Sequence, residues 1–373
     1  MSAAPNPARL FVAGTLSFAL IGAVQPLFGL ALPVYGRAFG LSAPEAGQLL
    51  SAFGVGAFVA VMLGVLGLWQ FTARTALAFL AVGAGVLALQ ASWLANLAGG
   101  VALGAGFGLT SAIINRRFLA EFGPRGPGMV GLVNAVFGLG AIIAPWGVLL
   151  AAGQPGPAWA VLAVLAAATI PVVQPNPQAA RATGGLRALM RPRAAMLALT
   201  FLSVLMEIGL FGYGPSALIA RGHLAAQVAG VTSAFFVAFL LSRVAMYWLT
   251  RWVAPAWLFF AGIVGTAGCA GLAALGWDVT AYIAAGGMVS VTFPAFFIWA
   301  TERLGPGPQT ASAIQAAALS CAALGPLALS AVLVPLGVTS LFAVLAVLGA
   351  ATALLLVAVF AATGEGPRPR VTA

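Results

Sequence analysis

Charged and hydrogen-bonding side chains are so scarce in this chain that each one inside an apolar run carries information. Only six acidic residues occur in 373. Glu45, Glu121, Asp278, Glu302 and Glu365 fall at the ends of apolar runs or beyond them, whereas Glu207 falls in the middle of one. A charge at the centre of a bilayer is expensive and is kept mainly where it has work to do. Apolar surroundings disfavour the ionised carboxylate. A carboxyl tuned in this way can load and release a proton near neutral pH, the step a proton-coupled carrier needs. The same carboxyl can instead anchor a neighbouring helix by hydrogen bonding, and both roles stay open for Glu207.

Amides form the second group. Gln25 lies mid-run beside Pro26, which frees a backbone carbonyl and can kink a helix. Asn134 and Gln315 occupy corresponding places in two later runs. An amide offers a donor and an acceptor together, which suits a neutral polyhydroxyl solute; it can equally tie two helices together. Tyr213, two helical turns beyond Glu207, and Trp299, in a cluster with Phe293, Phe296 and Phe297, are the aromatic candidates for solute stacking. Ordinary packing is their other use. Arg243, Arg116 and Arg117 sit towards the ends of apolar runs and suit inner gate or interface ion pairs. Snorkelling to lipid headgroups is the alternative.

Other chemistries lack the residues they need. Cys269 and Cys321 stand alone inside apolar runs, with neither metal-ligand spacing nor a disulfide pattern. One histidine, His223, and six acids leave little material for a metal site or a hydrolytic triad, so no cofactor or metal is expected. There is no Lys, so a phosphate-cradling glycine loop with its lysine is absent. No cluster of His, Asp or Cys supports an intramembrane enzyme.

The elements that must position these side chains follow from composition. Hydrophobic residues make up 62% of the chain and charged residues 6%, against about 25% charged in soluble domains. So few charges cannot cover a water-soluble surface of this size; lipid must be the solvent. A transmembrane helix needs about 20 apolar residues. Breaking the chain at its polar and Pro/Gly-rich points gives twelve spans: 9–36, 45–68, 74–91, 94–118, 127–151, 157–173, 194–220, 225–249, 255–275, 278–301, 309–334 and 337–362. Spans 3 and 6 are the shortest. The run from Leu10 to Tyr35 is too long for the roughly 7–15 residue core of a cleavable signal and reads as a retained first span.

With the N-terminus in the cytoplasm, all sixteen arginines except Arg37 and Arg221 fall at or near the inner side. The positive-inside rule requires such a split. It accounts for the net charge of +10 better than nucleic-acid binding does, since the arginines are dispersed. Trp69, Trp93, Trp159, Trp252, Trp257 and Trp277 lie near span ends, where aromatic belts sit. The one long connection, rich in Pro and Arg, divides the chain into a six-helix N-terminal bundle over 1–173, a cytoplasmic linker over 174–193 and a six-helix C-terminal bundle over 194–373. Both termini are then expected on the cytoplasmic side of a cell membrane that the chain crosses many times.

The halves repeat at a nearly constant offset. Ser51-Ala52-Phe53 recurs 182 residues later as Ser233-Ala234-Phe235, and Phe28-Gly29 recurs 183 later as Phe211-Gly212. Glu121 recurs as Glu302, and Asn134…Pro145 as Gln315…Pro326, both at 181. At the 182 offset Gln25 pairs with Glu207. Parallel repeats of this kind imply a pseudo-twofold axis along the membrane normal, with a solute site near the midplane between the halves. Gly100, Gly104 and Gly108 form a small-residue face on span 4, and Gly131, Gly138, Gly140 and Gly147 add others on span 5, which suits close, slidable packing.

The stretch FLAEFGPRGPGMVGLVNAVFGLGAIIAP, following Asn115, resembles helices 4–5 of the fucose-permease-like sugar/proton symporters of the major facilitator superfamily. VLMEIGLFGYGPSALIA, with Glu207, is similar to their helix 7. VTFPAFFIWATERLGPGPQTASAIQAAALSCAALGP is similar to their helices 10–11. The resemblance covers most of the chain. It implies an all-α membrane protein of twelve helices in two pseudo-symmetric bundles, alternating access, and proton-coupled uptake of a monosaccharide; the residues read above as candidate solute contacts are Gln25, Asn134, Glu207, Tyr213, Trp299 and Gln315. Two places depart from the family pattern. The loop between spans 2 and 3, GVLGLWQFTAR, keeps Gly64 and Arg74 of the usual G-x-x-x-D-R-x-G-R but lacks its Asp-Arg core, and Ser111 stands where an acid often precedes the helix-4 Asn.

The expected protein is therefore a monomeric secondary transporter whose partners are a small polar solute, protons and the bilayer. An exporter of apolar or cationic compounds, supported by the aromatic-rich, acid-poor interior, and a non-transporting receptor or scaffold remain as rivals.

Overall fold

A computed structural model describes residues 7–173, 194–304 and 308–363. The expected linker over 174–193 lies outside the described residues. Among them the regular structure is helical throughout. Twelve helices follow the twelve apolar runs: α1 (Pro7–Phe39), α2 (Ala43–Val65), α3 (Ala73–Leu89), α4 (Trp93–Glu121), α5 (Gly123–Leu150), α6 (Pro155–Thr169), α7 (Ala194–Ala220), α8 (Ala225–Trp252), α9 (Pro255–Ala274), α10 (Asp278–Leu304), α11 (Pro308–Leu336) and α12 (Leu341–Thr363). Ten of these are long and apolar enough to cross a membrane. The other two are α3 and α6, with 17 and 15 residues. The chain is thus a multi-pass membrane protein.

Local signals explain where helices begin. Ser42 caps α2 in a reciprocal box with Glu45, whose carboxylate accepts from the Ser42 N–H at 2.8 Å. The orphan N–H groups of the first turn are satisfied in this way, so Glu45 is a capping acid. Thr72 and Thr75 make the equivalent box for α3, and Ser92 caps α4 by accepting from the Ala95 N–H. The carbonyls of the turn that follows α6 are met from elsewhere in the fold. Arg9 donates to Pro171 O and Val172 O at 2.7 and 2.9 Å, and Arg74 donates to Val173 O at 3.0 Å. These contacts put Arg9, Arg74 and the end of α6 at one end of the bundle.

The chain divides into two compact units, residues 1–182 and 183–373. In the first, α1 packs on α4, α5 and α6, and α4 also packs on α2, α3 and α5; α3 and α6 close the set. In the second, α7 packs on α10, α11 and α12, α10 also packs on α8, α9 and α11, and α9 meets α12. Adding six to each helix number of the first pattern generates the second. One contact shows the repeat at atomic detail. A Cβ on Gly104 would overlap the Phe53 carbonyl, joining α4 to α2; 182 residues on, a Cβ on Gly286 would overlap the Phe235 carbonyl, joining α10 to α8. Only glycine permits backbones to approach so closely. Gly100 and Gly108 likewise face Leu49 and Ala57 of α2.

The outward faces are apolar. Leu89, Leu94, Leu150 and Leu275 are more than three-quarters exposed, which water would penalise and lipid does not. Trp69, Trp252 and Trp277 are largely exposed, as expected of an interfacial belt. Trp159 is not: it is fully buried, edge-on to Phe28 at 5.1 Å. It sits in the first turn of α6, and this short helix is drawn inward against α1, so position near a span end does not decide exposure.

Candidate functional site

Glu207 sits where α7 loses its regular form. The helix runs regularly to Ile208, then widens into a π-helical turn over Gly209–Tyr213 before resuming at Gly214–Ala220. The local reason is written in GLFGYGP. Three glycines weaken the helix, and Pro215 has no N–H to return to the Phe211 carbonyl. Such π-turns occur often at functional sites. Two tyrosines stabilise this one. Tyr282 of α10 donates its hydroxyl to Leu210 O at 3.2 Å, and Tyr213 donates to Pro326 O of α11 at 2.8 Å.

Glu207 is half-buried, and among the described residues nothing hydrogen-bonds its carboxylate. Its charge reaches two neighbours, Arg243 on α8 and Cys321 on α11. Arg243 is fixed by two contacts. Its Nε donates to Ser290 O at 3.3 Å, and its guanidinium lies over the Phe239 ring at 4.4 Å. The Ser290 carbonyl is available because Pro294, four residues on, cannot donate to it; α10 breaks there, at Val291. One proline thus frees the acceptor that positions the arginine opposite the acid. A carboxylate and a guanidinium that sense each other without a direct bond leave hydrogen-bonding capacity on both. The second unit therefore holds a polar centre made by α7, α8, α10 and α11.

The remaining expected residues separate into groups. Gln25 and Asn134 are half-buried in the first unit, on α1 and α5. A Cβ on Gly22 would meet Phe137 O, and one on Gly140 would meet Ala19 O. Each facing pair of this antiparallel contact moves by three residues in opposite directions, so one further turn brings Gln25 level with Asn134. Asn134 spends its Nδ2 on Val130 O of its own helix, at 2.8 Å, and keeps its carbonyl oxygen. Gln315, on α11, is exposed.

The two aromatic candidates lie inside the packing of the second unit. Tyr213 is fully enclosed, and its hydroxyl donates to Pro326 O, which ties α7 to α11. Trp299 is 4% exposed in a core with Phe259, Phe296 and Phe360.

The arginines differ among themselves. Arg116 is exposed at the end of α4. Arg117 is buried and donates to Glu121 at 2.9 Å, one turn on in the same helix. Arg243 lies well inside α8, at the polar centre, and not at a helix end. Sequence reasoning missed Ser290 and Cys321 as members of that centre. Pro294 was the available signal for Ser290; nothing marked Cys321. It also missed Asn96, fully buried on α4, whose side-chain oxygen and nitrogen have no partner among the described residues.

No protein-family profile matches the chain, and no curated protein does. Solved structures match it over nearly its whole length. A POT family transporter in complex with 5-aminolevulinic acid superposes with a TM-score of 0.77, covering 98% of this chain and 98% of that one at 14% identity. The nucleoside transporter NupG, in a mutant form, gives 0.75, with 95% and 99% coverage at 16% identity. The fucose:proton symporter FucP of E. coli, also in a mutant form, gives 0.61, with 93% and 97% coverage at 18% identity.

The chain has the major facilitator fold. The repeated packing of the two units is the internal repeat of that fold, and the twelve helices are its full complement. Identities of this size establish the fold alone, and a fold of this breadth serves many solutes.

Proposed function

We infer that this chain is a secondary transporter that moves a small polar solute, a monosaccharide, by alternating access, with Glu207 carrying the coupled proton. The observation that carries the reading is the carboxylate of Glu207. It lies within an apolar span, next to a π-turn, with no hydrogen bond among the described residues and with Arg243 as its charged neighbour. A carboxyl with no fixed partner can change protonation as solute and Arg243 compete for it. Gln25, Asn134 and Gln315 supply donor–acceptor pairs suited to hydroxyl groups. The fold supports the transport class, and the fucose:proton symporter and a D-xylose-proton symporter (TM-score 0.72, 14% identity) are among the structures it resembles. The positive-inside distribution of arginines supports a cytoplasmic location for both termini.

The test is sugar-driven proton movement in liposomes that contain the purified protein and an internal pH dye, comparing wild type with Glu207→Gln. Acidification of the lumen by a sugar in the wild type, and its loss in the variant, is the expected result. If no sugar of a broad panel moves protons through the wild type, the coupling assignment is wrong. An exporter of apolar or cationic compounds would then be the next reading to test.

A further inference from the structure

Asn96 of α4 is fully buried, and neither its Oδ1 nor its Nδ2 has a hydrogen-bond partner among the described residues. The indole Nε1–H of Trp159, on α6, is buried and unpartnered in the same way. A buried donor or acceptor left unpaired is costly, and here three such atoms share one region. Along the antiparallel α1–α4 contact, Gly14 faces Ile114 and Phe118, and Phe39 packs on Trp93 at 5.8 Å; Tyr35 then falls level with Asn96. Along the α3–α4 contact, Gly83 faces Gly99 and Leu103, and Gly99 faces Val86; Leu87 falls at the same level. Tyr35 crosses the unit at this level to donate its hydroxyl to Leu87 O at 2.9 Å. Trp159 follows Gly156, which packs on Ala88 O, and lies near enough to influence the Tyr35 hydroxyl. The amide, the indole and the phenol thus converge inside the first unit, where α1 ends and α4 begins.

The repeat explains why the Asn96 amide is left over. Gly40 and Gly222, both at positive φ (67° and 97°), follow α1 and α7 at the 182-residue offset that also relates Gly104 to Gly286. In that register Asp278 takes the place of Asn96, Arg221 that of Phe39, and His223 that of Leu41. The second unit satisfies this position with its own side chains. Asp278 Oδ1 accepts from Arg221 Nη1 at 2.6 Å, and its Oδ2 lies 3.2 Å from His223 Nε2. In the first unit both partner positions are apolar, so neither can serve the amide.

We propose that Asn96, Trp159 and Tyr35 form a site for bound water, which does in the first unit what Arg221 and His223 do in the second. The donor and acceptor sets match. Asn96 Nδ2 and Trp159 Nε1 carry protons for a water oxygen, while Asn96 Oδ1 and the free lone pairs of the Tyr35 oxygen accept water protons. A buried water is held by two to four bonds of this kind. Other small ligands fit worse. A metal cation would be met by two N–H groups. An anion calls for charged donors, and Arg37, two residues past Tyr35, is exposed. Water held here links α1, α4 and α6, and through the Tyr35 hydroxyl it reaches the end of α3.

The experiment is X-ray hydroxyl-radical footprinting of the purified full chain, read residue by residue by mass spectrometry. Radiolysis turns bound water into radicals where it lies, so a buried ring that touches water is oxidised and a dry one is spared. Tyr35, Tyr213 and Tyr282 are all 0% exposed. The last two are internal controls, because their hydroxyls are spent on Pro326 O and Leu210 O. Tyr35 is expected to oxidise severalfold faster than either control, Trp159 to oxidise although it is buried, and Asn96→Leu to lose most of the oxidation at both. Oxidation of Tyr35 no faster than that of the controls overturns the proposal, as does undiminished oxidation of Trp159 in Asn96→Leu. Should Asn96→Leu fail to purify, Trp159→Phe replaces it with Tyr35 as the readout, and the same loss is expected. No transported solute enters the assay, so its outcome is independent of the sugar-transport reading.

Discussion

Replacing Gly104 by alanine tests the packing logic of both units. The added Cβ would overlap the Phe53 carbonyl, a backbone atom that no rotamer change can move aside. Helices α2 and α4 must therefore separate along a face that Gly100 and Gly108 also use. Overpacking of this kind typically costs about 1–3 kcal/mol, and with backbone as the obstacle the upper end applies. Alanine returns up to about 1 kcal/mol of helix propensity, leaving a net loss of about 2 kcal/mol. For a cooperative unit of this size each kcal/mol shifts Tm by about 2–4 °C, so thermal unfolding in detergent should fall by about 4–8 °C. Gly286→Ala, against the Phe235 carbonyl at 2.5 Å, should lose stability in the same direction because it is the repeat partner. Gly131→Ala is the control: nothing lies within 4 Å of its Cβ position, so propensity alone acts and stability should rise by about 0.5–1 kcal/mol. If Gly104→Ala and Gly131→Ala shift Tm alike, the close α2–α4 approach is not what glycine is there for.

Tyr213→Phe removes the hydroxyl donated to Pro326 O while keeping the buried ring; it should lower stability by about 1 kcal/mol, read as a Tm shift. Trp299→Ala, in the α9–α10–α12 core, should lose about 3–5 kcal/mol, whereas Trp69→Ala, at a site 61% exposed, should stay within about 0.5 kcal/mol; equal losses in denaturation assays would contradict the assigned core.

How much of the candidate site was legible depended on the kind of signal. Glu207 stands out in the sequence because an acid in the middle of an apolar run is conspicuous whatever surrounds it. Gln25 and Asn134 stand out as polar interruptions, and the antiparallel α1–α5 register brings them level. Tyr213 and Trp299 look like site residues in one dimension because aromatic rings serve cores and ligands equally well. The direction of a helical side chain settles which, and an error of one residue in phase turns it by about 100°. Ser290 and Cys321 carried no such mark. Their membership of the polar centre depends on Arg243 of α8 reaching the carbonyl that Pro294 frees in α10, and on α11 bringing a thiol within reach of the Glu207 charge.

The sequence by itself determined the solvent, the number of helices and the division into repeats. These follow from composition, run length and a constant offset near 182 residues, all of which are one-dimensional properties. The alternation of arginine-rich and arginine-poor connections likewise needs no coordinates. Tertiary structure alone decided which side chains meet. It inserted a π-turn after Glu207, drew Trp159 inward, and gathered Arg221, His223 and Asp278 from the ends of α7 and α10 onto one carboxylate. The physical reason is that lipid selects apolar character position by position, while hydrogen bonds and ion pairs between helices depend on rotation and register, which apolar runs leave free.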